Sequence, residues 1–581
     1  MMTTDVLIVG AGPAGASSAV FLGKYGISTI MISRHRSTAR TPRAHITNQR
    51  TMEAFRDAGL EQDCMAHASP PSHIAHSIWL RSMVGEELAR VNSWGSDPRR
   101  KGDYEAASPC QMCDLPQTEL EPLLVAEAAR LGSHVRFSME LISFVQDENG
   151  VTAMVRDRVA GDEVEIRAKY MIGADGARSQ VVEQLGLPLI GRQGLPSVIN
   201  VYCEADLGDY PIHRHGALYH CVQPASGKWG AVTGFRMVRP WDRWLVSLMR
   251  PTNEGISDIQ PADLAEQLCK VIGATVSVKI LDVSVWAIND IIAEHFSAGR
   301  VFCMGDAVHR HPPANGLGSN TCVQDAFNLA WKMALVLQGK AGTHLLDSFS
   351  TERQPVGQQI VSRANKSMVL NYNVWDSIVG GGSEPKSEAE FRATLDTAEG
   401  RERMRSALDG LRYENHAHGV ELNRQYVSNA VVSDGSPPLV YERDEELYYQ
   451  PNTRPGAPLP HVWLGKRVSA PLVSSLDVAG KRRFTLLTGY EGEGWRKAAR
   501  LVSELTGVEI AVVSIGPYCD YEDSYRRWHA LSGISESGCV LVRPDLYIGW
   551  RCSDMPTDPN AALSGVMQQM LGFKPVAVAN G

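Results

Sequence analysis

No run of this chain approaches the roughly 18 uninterrupted apolar residues a bilayer-spanning helix needs, which excludes an integral membrane protein of the helical kind. No strong charge bias is present either. The formal net charge of -8 over 581 residues is modest and spread out, and the one basic run, Arg99-Arg100-Lys101, follows Asp97-Pro98 and reads as a solvated loop. Nucleic acid is therefore not the expected partner. The eleven cysteines are scattered and odd in number, which disfavours a disulfide framework and fits reduced thiols. Cys110-Gln-Met-Cys113 stands without a second pair or a histidine at ligand spacing, so no metal site is expected. Repeats and low-complexity tracts are absent. The apolar run Val6–Val9 is too short for a signal-peptide core, and a cytoplasmic protein is the expectation.

What is present is ample for several domains. An apolar fraction of 44% supports full-sized cores. The chain opens strand, glycine turn, helix, strand: Asp5–Val9 is β-rich, Ala14–Tyr25 helical in character, and Ser28–Ile32 a second strand. Further strands are predicted at Val135–Phe137, Val151–Arg156 and Tyr170–Ile172. Between about 190 and 285, strand-like pieces such as Val198–Cys203 and Trp244–Met249 are joined by Pro- and Gly-bearing turns, which predicts an inserted antiparallel sheet. Arg300–Cys303 returns to strand and Cys322–Leu337 to helix. Arg454-Pro-Gly-Ala-Pro-Leu-Pro460 marks a stiff boundary before a small α/β unit with strands at Phe484–Thr488, Ile510–Ser514 and Cys539–Arg543. The predicted division is 1–187 and 286–374 for a nucleotide-binding domain, 188–285 for the sheet domain, 375–453 for a helical connection and 454–581 for the last domain.

The motif Gly10-Ala11-Gly12-Pro13-Ala14-Gly15 lies between a predicted strand and helix, where glycines permit a tight turn and a helix N-terminus offers free N–H groups to a pyrophosphate. The carboxylate that usually ends the second strand, to bind a ribose, is missing; Ile32-Ser33-Arg34-His35-Arg36 stands there instead. Ser33 can hydrogen-bond a ribose, and Arg34 can meet a 2′-phosphate, so this motif alone leaves FAD and NADPH open.

Three later segments turn the reading toward flavin. They are Met171-Ile-Gly-Ala-Asp175-Gly176-Ala-Arg178-Ser179, Gly305-Asp306-Ala-Val-His309-Arg-His-Pro312-Pro313, and Asn315-Gly316-Leu317-Gly318-Ser319-Asn320-Thr321. In this order they resemble the single-component FAD-dependent aromatic hydroxylases, with phenol and chlorophenol hydroxylases the nearest likeness and para-hydroxybenzoate hydroxylase a more distant one. The resemblance covers essentially the whole chain. It implies an α/β Rossmann-like FAD-binding domain, an inserted antiparallel-sheet substrate domain and a thioredoxin-like C-terminal domain that serves subunit contact in a homodimer. It also implies that Asp175 lies near the pyrophosphate, that Asp306 holds the ribityl chain, and that Gly316, Gly318, Ser319 and Asn320 offer N–H groups to the flavin edge. Arg43 and Gln117 match further cofactor contacts, and His309 is expected to hold its loop. The C-terminal cysteines Cys519, Cys539 and Cys552 lack Cys-x-x-Cys spacing, so no disulfide chemistry is expected there.

The activity implied is hydroxylation of a phenolic small molecule, ortho to its hydroxyl, with NADPH or NADH reducing FAD and O2 forming a hydroperoxide at flavin carbon 4a. Such a site must exclude water and ionise a phenol whose unperturbed pKa is about 10. His45, where related phenol hydroxylases carry a carboxylate, is the candidate base; Tyr219 and Pro313 are candidates for lining the substrate cavity. Halogenation is disfavoured because Trp286-Ala-Ile-Asn-Asp290 does not match the expected Trp-x-Trp-x-Ile-Pro segment. A flavin-binding protein without turnover is the reading from another class; the Pro-Pro loop and flavin-edge glycines weigh against it.

Overall fold

The computed structural model describes residues 1–192, 197–210, 215–223, 229–249, 260–379, 387–466 and 469–572. Strand Met2–Val9 lies inside a parallel layer, between Glu163–Gly173 and Thr29–Ser33. Val6 to Val9 are buried on both faces, as a central parallel strand covered by helices must be. The sheet continues outward through Val301–Cys303 on one side and His134–Phe137 on the other. Helix Pro13–Lys24 packs beside Gln117–Arg130 and the long, almost wholly buried helix Gly318–Leu337.

The second layer is a seven-stranded sheet in the order Lys279–Ala287, Ser197–Glu204, Arg243–Met249, Val232–Arg239, Leu218–Val222, His76–Leu80, Glu87–Asn92. Here the structure departs from the expected boundaries. The last two strands come from the N-terminal third, and His76–Leu80 joins the insert in parallel with Leu218–Val222. The alternating run His-Ser-Ile-Trp-Leu has an apolar face whose natural partner is this sheet, because Ile78 and Leu80 close the same core as Tyr219, Phe235 and Leu268. Helix Pro261–Ile272 covers that face.

The C-terminal unit has strand order Ile510–Ser514, Phe484–Thr488, Cys539–Val542, Ile548–Cys552, the first pair parallel and the others antiparallel. Helices Glu493–Thr506 and Pro559–Met570 pack together against it, the thioredoxin-like arrangement expected. Cys539 and Cys552, far apart in sequence, stand opposite each other across the ladder as free thiols. The unit is bolted to the nucleotide domain by a buried ionic network. Glu352 accepts from Lys332 Nζ at 2.8 Å and from Arg543 at 2.6 and 2.9 Å, and Asp545 takes a further bond from Arg543. All four side chains are sealed from solvent.

Candidate active site

The glycine turn shows why each position is what it is. Gly10 has φ +113°, and a Cβ there would lie 2.1 Å from the carbonyl oxygen of Ala174. A Cβ on Gly15 would lie 1.9 Å from the carbonyl oxygen of Gly10. Both must be glycine. Gly12 differs: a Cβ would meet nothing nearer than Glu121 Oε1 at 3.8 Å, so the space before it is left open by the protein. Gly12 is also the N-cap of Pro13–Lys24, with no side chain closing the helix start and no acidic residue in the first turn. Free N–H groups facing an open cradle suit a pyrophosphate.

Gly305 (φ +63°) brings the second motif against this turn; a Cβ there would sit 3.2 Å from Ala14 Cβ. Asp306 is exposed, and its main-chain carbonyl, not its carboxylate, takes the Arg310 Nε bond. Behind it, His309 Nε2 lies 2.9 Å from Asp325 Oδ2, whose carboxylate also accepts from Gly305 N–H and Arg353 Nε. His309 is thus built into the loop's support.

The third motif is held from three sides. Asn315, at φ +67°, donates to the carbonyls of Tyr413 and Glu414 and accepts from Ser367. Gly316 (φ +65°) abuts Ile46, where a Cβ would come within 3.0 Å. Asn320 donates to the carbonyls of Ile46 and Gly316 and accepts from Asn48 N–H. The helix therefore begins at Gly318, earlier than the predicted Cys322, because the left-handed bend at Asn315–Gly316 lets it. Its start has no side-chain cap, leaving the N–H groups around Gly318 and Ser319 available. Pro313 is exposed at the head of this loop.

At the strand end, buried Ser33 accepts from His35 N–H, and Arg34, Arg43, Arg158 and Arg178 together hold the His35 pKa down, after burial. Four guanidinium groups there make a positive field. Gln117 donates from Nε2 to Glu121 Oε1 (2.5 Å), and its main-chain N–H binds the carbonyl of Ala44. The Asp175 carboxylate accepts from Ser179 Oγ and the N–H groups of Gln180 and Val181, capping its own helix, while its main-chain nitrogen lies against the Gly10 turn, where a Cβ on Gly10 would come within 3.0 Å of it. Tyr219 is sealed in the sheet's core, its hydroxyl accepting from Gly216 N–H. Register explains the miss. Tyr219 pairs with Phe235 on the helix-covered face, whereas Arg236, one residue on, points to the nucleotide domain.

His45 is buried where the two layers meet. Its Nδ1 lies 3.2 Å from Asp114 Oδ1 and its Nε2 2.8 Å from the carbonyl oxygen of Pro42. Asp114, wholly buried, also binds Arg236, whose guanidinium lies over the Trp94 ring. Burial raises the Asp114 carboxyl, but Arg236 and His45 bring it below its ordinary value. Burial and then Arg236 hold the His45 pKa below the ordinary imidazole value, against the pull of Asp114. A neutral imidazole has one N–H for these two acceptors, so a proton taken up by the ring supplies the missing donor. Asp114 and Arg236 were not singled out from the sequence. Their signals were weak: an acid two residues before Pro116-Gln117, and a lone cation in the strand Val232–Arg239.

Among the described residues no group of three His, Cys, Asp or Glu could hold a metal ion, and no helix is long and apolar enough to cross a membrane. The open cradle at Gly12, the uncapped helix starts and the exposed Asp306 fit FAD, and they define a flavoprotein oxidoreductase fold. Comparison with known proteins takes this further. Residues 3–364 match the FAD binding domain family and residues 452–573 the aromatic-ring hydroxylase C-terminal family. The chain is 46% identical to 2,4-dichlorophenol 6-monooxygenase of Delftia acidovorans, covering 98% of each. It is 41% identical to phenol 2-monooxygenase of Pseudomonas sp. (strain EST1001), covering 98% of this chain and 93% of the other. The flavin-dependent monooxygenase PieE, solved with FAD and substrate, superposes with a TM-score of 0.92 at 43% identity, covering 98% and 99%. The chain belongs to the FAD-dependent aromatic-ring hydroxylases.

Proposed function

We propose that this protein hydroxylates a phenol at the carbon ortho to its hydroxyl, with NADPH or NADH as electron donor and O2 as the oxygen source. One oxygen atom enters the ring in place of hydrogen and the other leaves as water. The names of two relatives support the regiochemistry, since attack at position 6 of 2,4-dichlorophenol and at position 2 of phenol are both ortho. Bound FAD, once reduced, supplies the activated oxygen.

The protein's own residues hold and ionise. Gly10, Gly12, Pro13, Ala14 and Gly15 hold the pyrophosphate, with Ser33, Arg34, Arg43 and Gln117 at the nucleotide end. Asp306 takes the ribityl hydroxyls, and Gly316, Gly318, Ser319 and Asn320 face the flavin ring with Pro313 beside it. His45 accepts the phenolic proton, Asp114 orients it, and Arg236 keeps Asp114 ionised. The observation that carries this reading is the buried His45–Asp114–Arg236 chain, which joins the nucleotide layer to the open face of the sheet. Proton uptake by His45 turns an acceptor mismatch into a satisfied pair, which is what a general base in a dry site requires.

The test is a panel of phenols added to the FAD-loaded protein, scored for accelerated NADPH and NADH oxidation and for products heavier by one oxygen atom. Ortho-hydroxylated product from at least one phenol is expected. Substrate-independent oxidation with no product from any phenol would overturn the reading.

A further inference from the structure

A cavity with a volume of about 370 Å³ lies between the nucleotide domain and the C-terminal unit, and His45 is not among its lining residues. It opens at the far end of helix Pro13–Lys24, about 18 Å from Gly12 at 1.5 Å per residue. Nothing in the reaction above uses it. Its size suits a small molecule of one or two rings.

Two features give it a chemical character. The floor is aromatic: Phe327 on its core helix and Tyr25, which caps helix Pro13–Lys24, are only half-buried, and buried Phe21 backs Phe327 with ring centroids 5.0 Å apart. The wall is cationic, with Lys24, Arg56, Lys481 and Arg482 lining it against the single carboxylate of Asp57. Lys24 is matched by Glu127 at 2.9 Å, and Arg56 by Asp477 at 2.8 Å and by Glu61. The other two share one carboxylate. Lys481 Nζ makes a long ion pair with Asp57 at 3.8 Å, and Arg482, which acts on the same carboxylate, donates to the main-chain carbonyl of Lys24.

The backbone that carries these cations is unusual. Gly480, Lys481 and Arg482 take φ values of +66°, +55° and +71°, three left-handed residues in succession. For Lys and Arg this conformation is strained, because Cβ crowds the backbone, and it persists only where the surroundings impose it. Asp57 imposes it by accepting the Lys481 N–H at 2.8 Å, and the turn sets two cations that share this one carboxylate on the wall of the cleft. Flat apolar rings below and positive charge at the edge match one kind of ligand.

We propose that this cleft is a binding site for a small aromatic anion, an aryl carboxylate of one or two rings, distinct from the site of hydroxylation. The ring lies against Phe327 and Tyr25, and the carboxylate meets Arg482 and Lys481.

The probe is 2-naphthoate, titrated by calorimetry into the FAD-loaded full-length protein in the presence of a saturating phenol. One saturable site per chain is expected, and naphthalene-2-carboxamide, the uncharged counterpart, should bind about tenfold or more weakly. Arg482→Glu should weaken 2-naphthoate about tenfold or more, and Phe327→Leu about fivefold. Hydroxylation rates measured without 2-naphthoate should stay unchanged in both variants. No saturable binding, equal affinity in both variants, or displacement by the phenol would each overturn the proposal.

Discussion

Replacing His45 with alanine separates chemistry from packing. A phenol of pKa about 10 is ionised to only about one part in a thousand at pH 7, so a well-placed base is worth up to about a thousandfold there. That ratio corresponds to about 4 kcal/mol of barrier. His45 is held by one carboxylate contact and one carbonyl contact and is almost sealed from water, so alanine leaves a hole that bulk base cannot readily fill. At pH 7, kcat/KM of His45→Ala should fall by about a hundredfold to a thousandfold. The deficit should shrink about tenfold for each pH unit above 7, as the phenol ionises unaided. With an electron-poor phenol already ionised at neutral pH, the deficit should nearly vanish. FAD content should be unchanged, because His45 touches none of the glycine turns. Stopped-flow measurement across pH 6.5 to 9.5, with product quantified against NADPH consumed, makes the comparison. A deficit of constant size at every pH and with every phenol would refute the reasoning, leaving His45 a packing residue.

Further outcomes follow from the same geometry. Asp114→Asn leaves the Arg236 guanidinium buried against a neutral amide and removes the group that raises the His45 pKa, so the acid limb of kcat/KM should move to lower pH. Thermal or urea unfolding of that variant should show a loss of about 3–5 kcal/mol. Gly10→Ala, with its Cβ colliding with the Ala174 carbonyl, should yield protein that no longer retains FAD, read from the yellow absorbance of the purified chain. Glu421, pushed up to about 8 by burial, keeps its proton in the folded state over a range where the unfolded chain has released it. Its contribution to stability is therefore full below pH 4.5 and is lost as pH rises through 8, so the Tm of Glu421→Gln should gain on wild type between pH 6 and 9.

Much of the nucleotide fold was legible because its signals are local. A strand followed by glycines and an uncapped helix can be recognised without knowing what lies opposite. The errors arose where position depends on a distant partner. Strand parity could not show that Tyr219 faces a helix while Arg236 faces the nucleotide domain; pairing with Phe235 and Leu218 decides that. His76–Leu80 is too short to announce that it completes a sheet more than a hundred residues downstream. The capping use of the Asp175 carboxylate, which accepts from Ser179 Oγ at 2.6 Å and Gln180 N–H at 2.8 Å, is local too, but its motif does not announce it.

The ionic cluster around Glu352 has a practical corollary for anyone wishing to shorten this enzyme. Cutting the chain ahead of residue 452 would strip Arg543 and Asp545 from a dry interior and leave Glu352 with Lys332 as its one cation beside the neutral Asn328 and Ser428, among the described residues. The same cut removes the Asp545 carbonyl that receives Arg50, on helix Gln49–Ala58, which begins four residues after His45. The terminal unit is thus not an ornament that evolution could shed: it finishes the wall behind the segment that carries His45, and a trimmed version should lose shape before it loses any side chain of that segment.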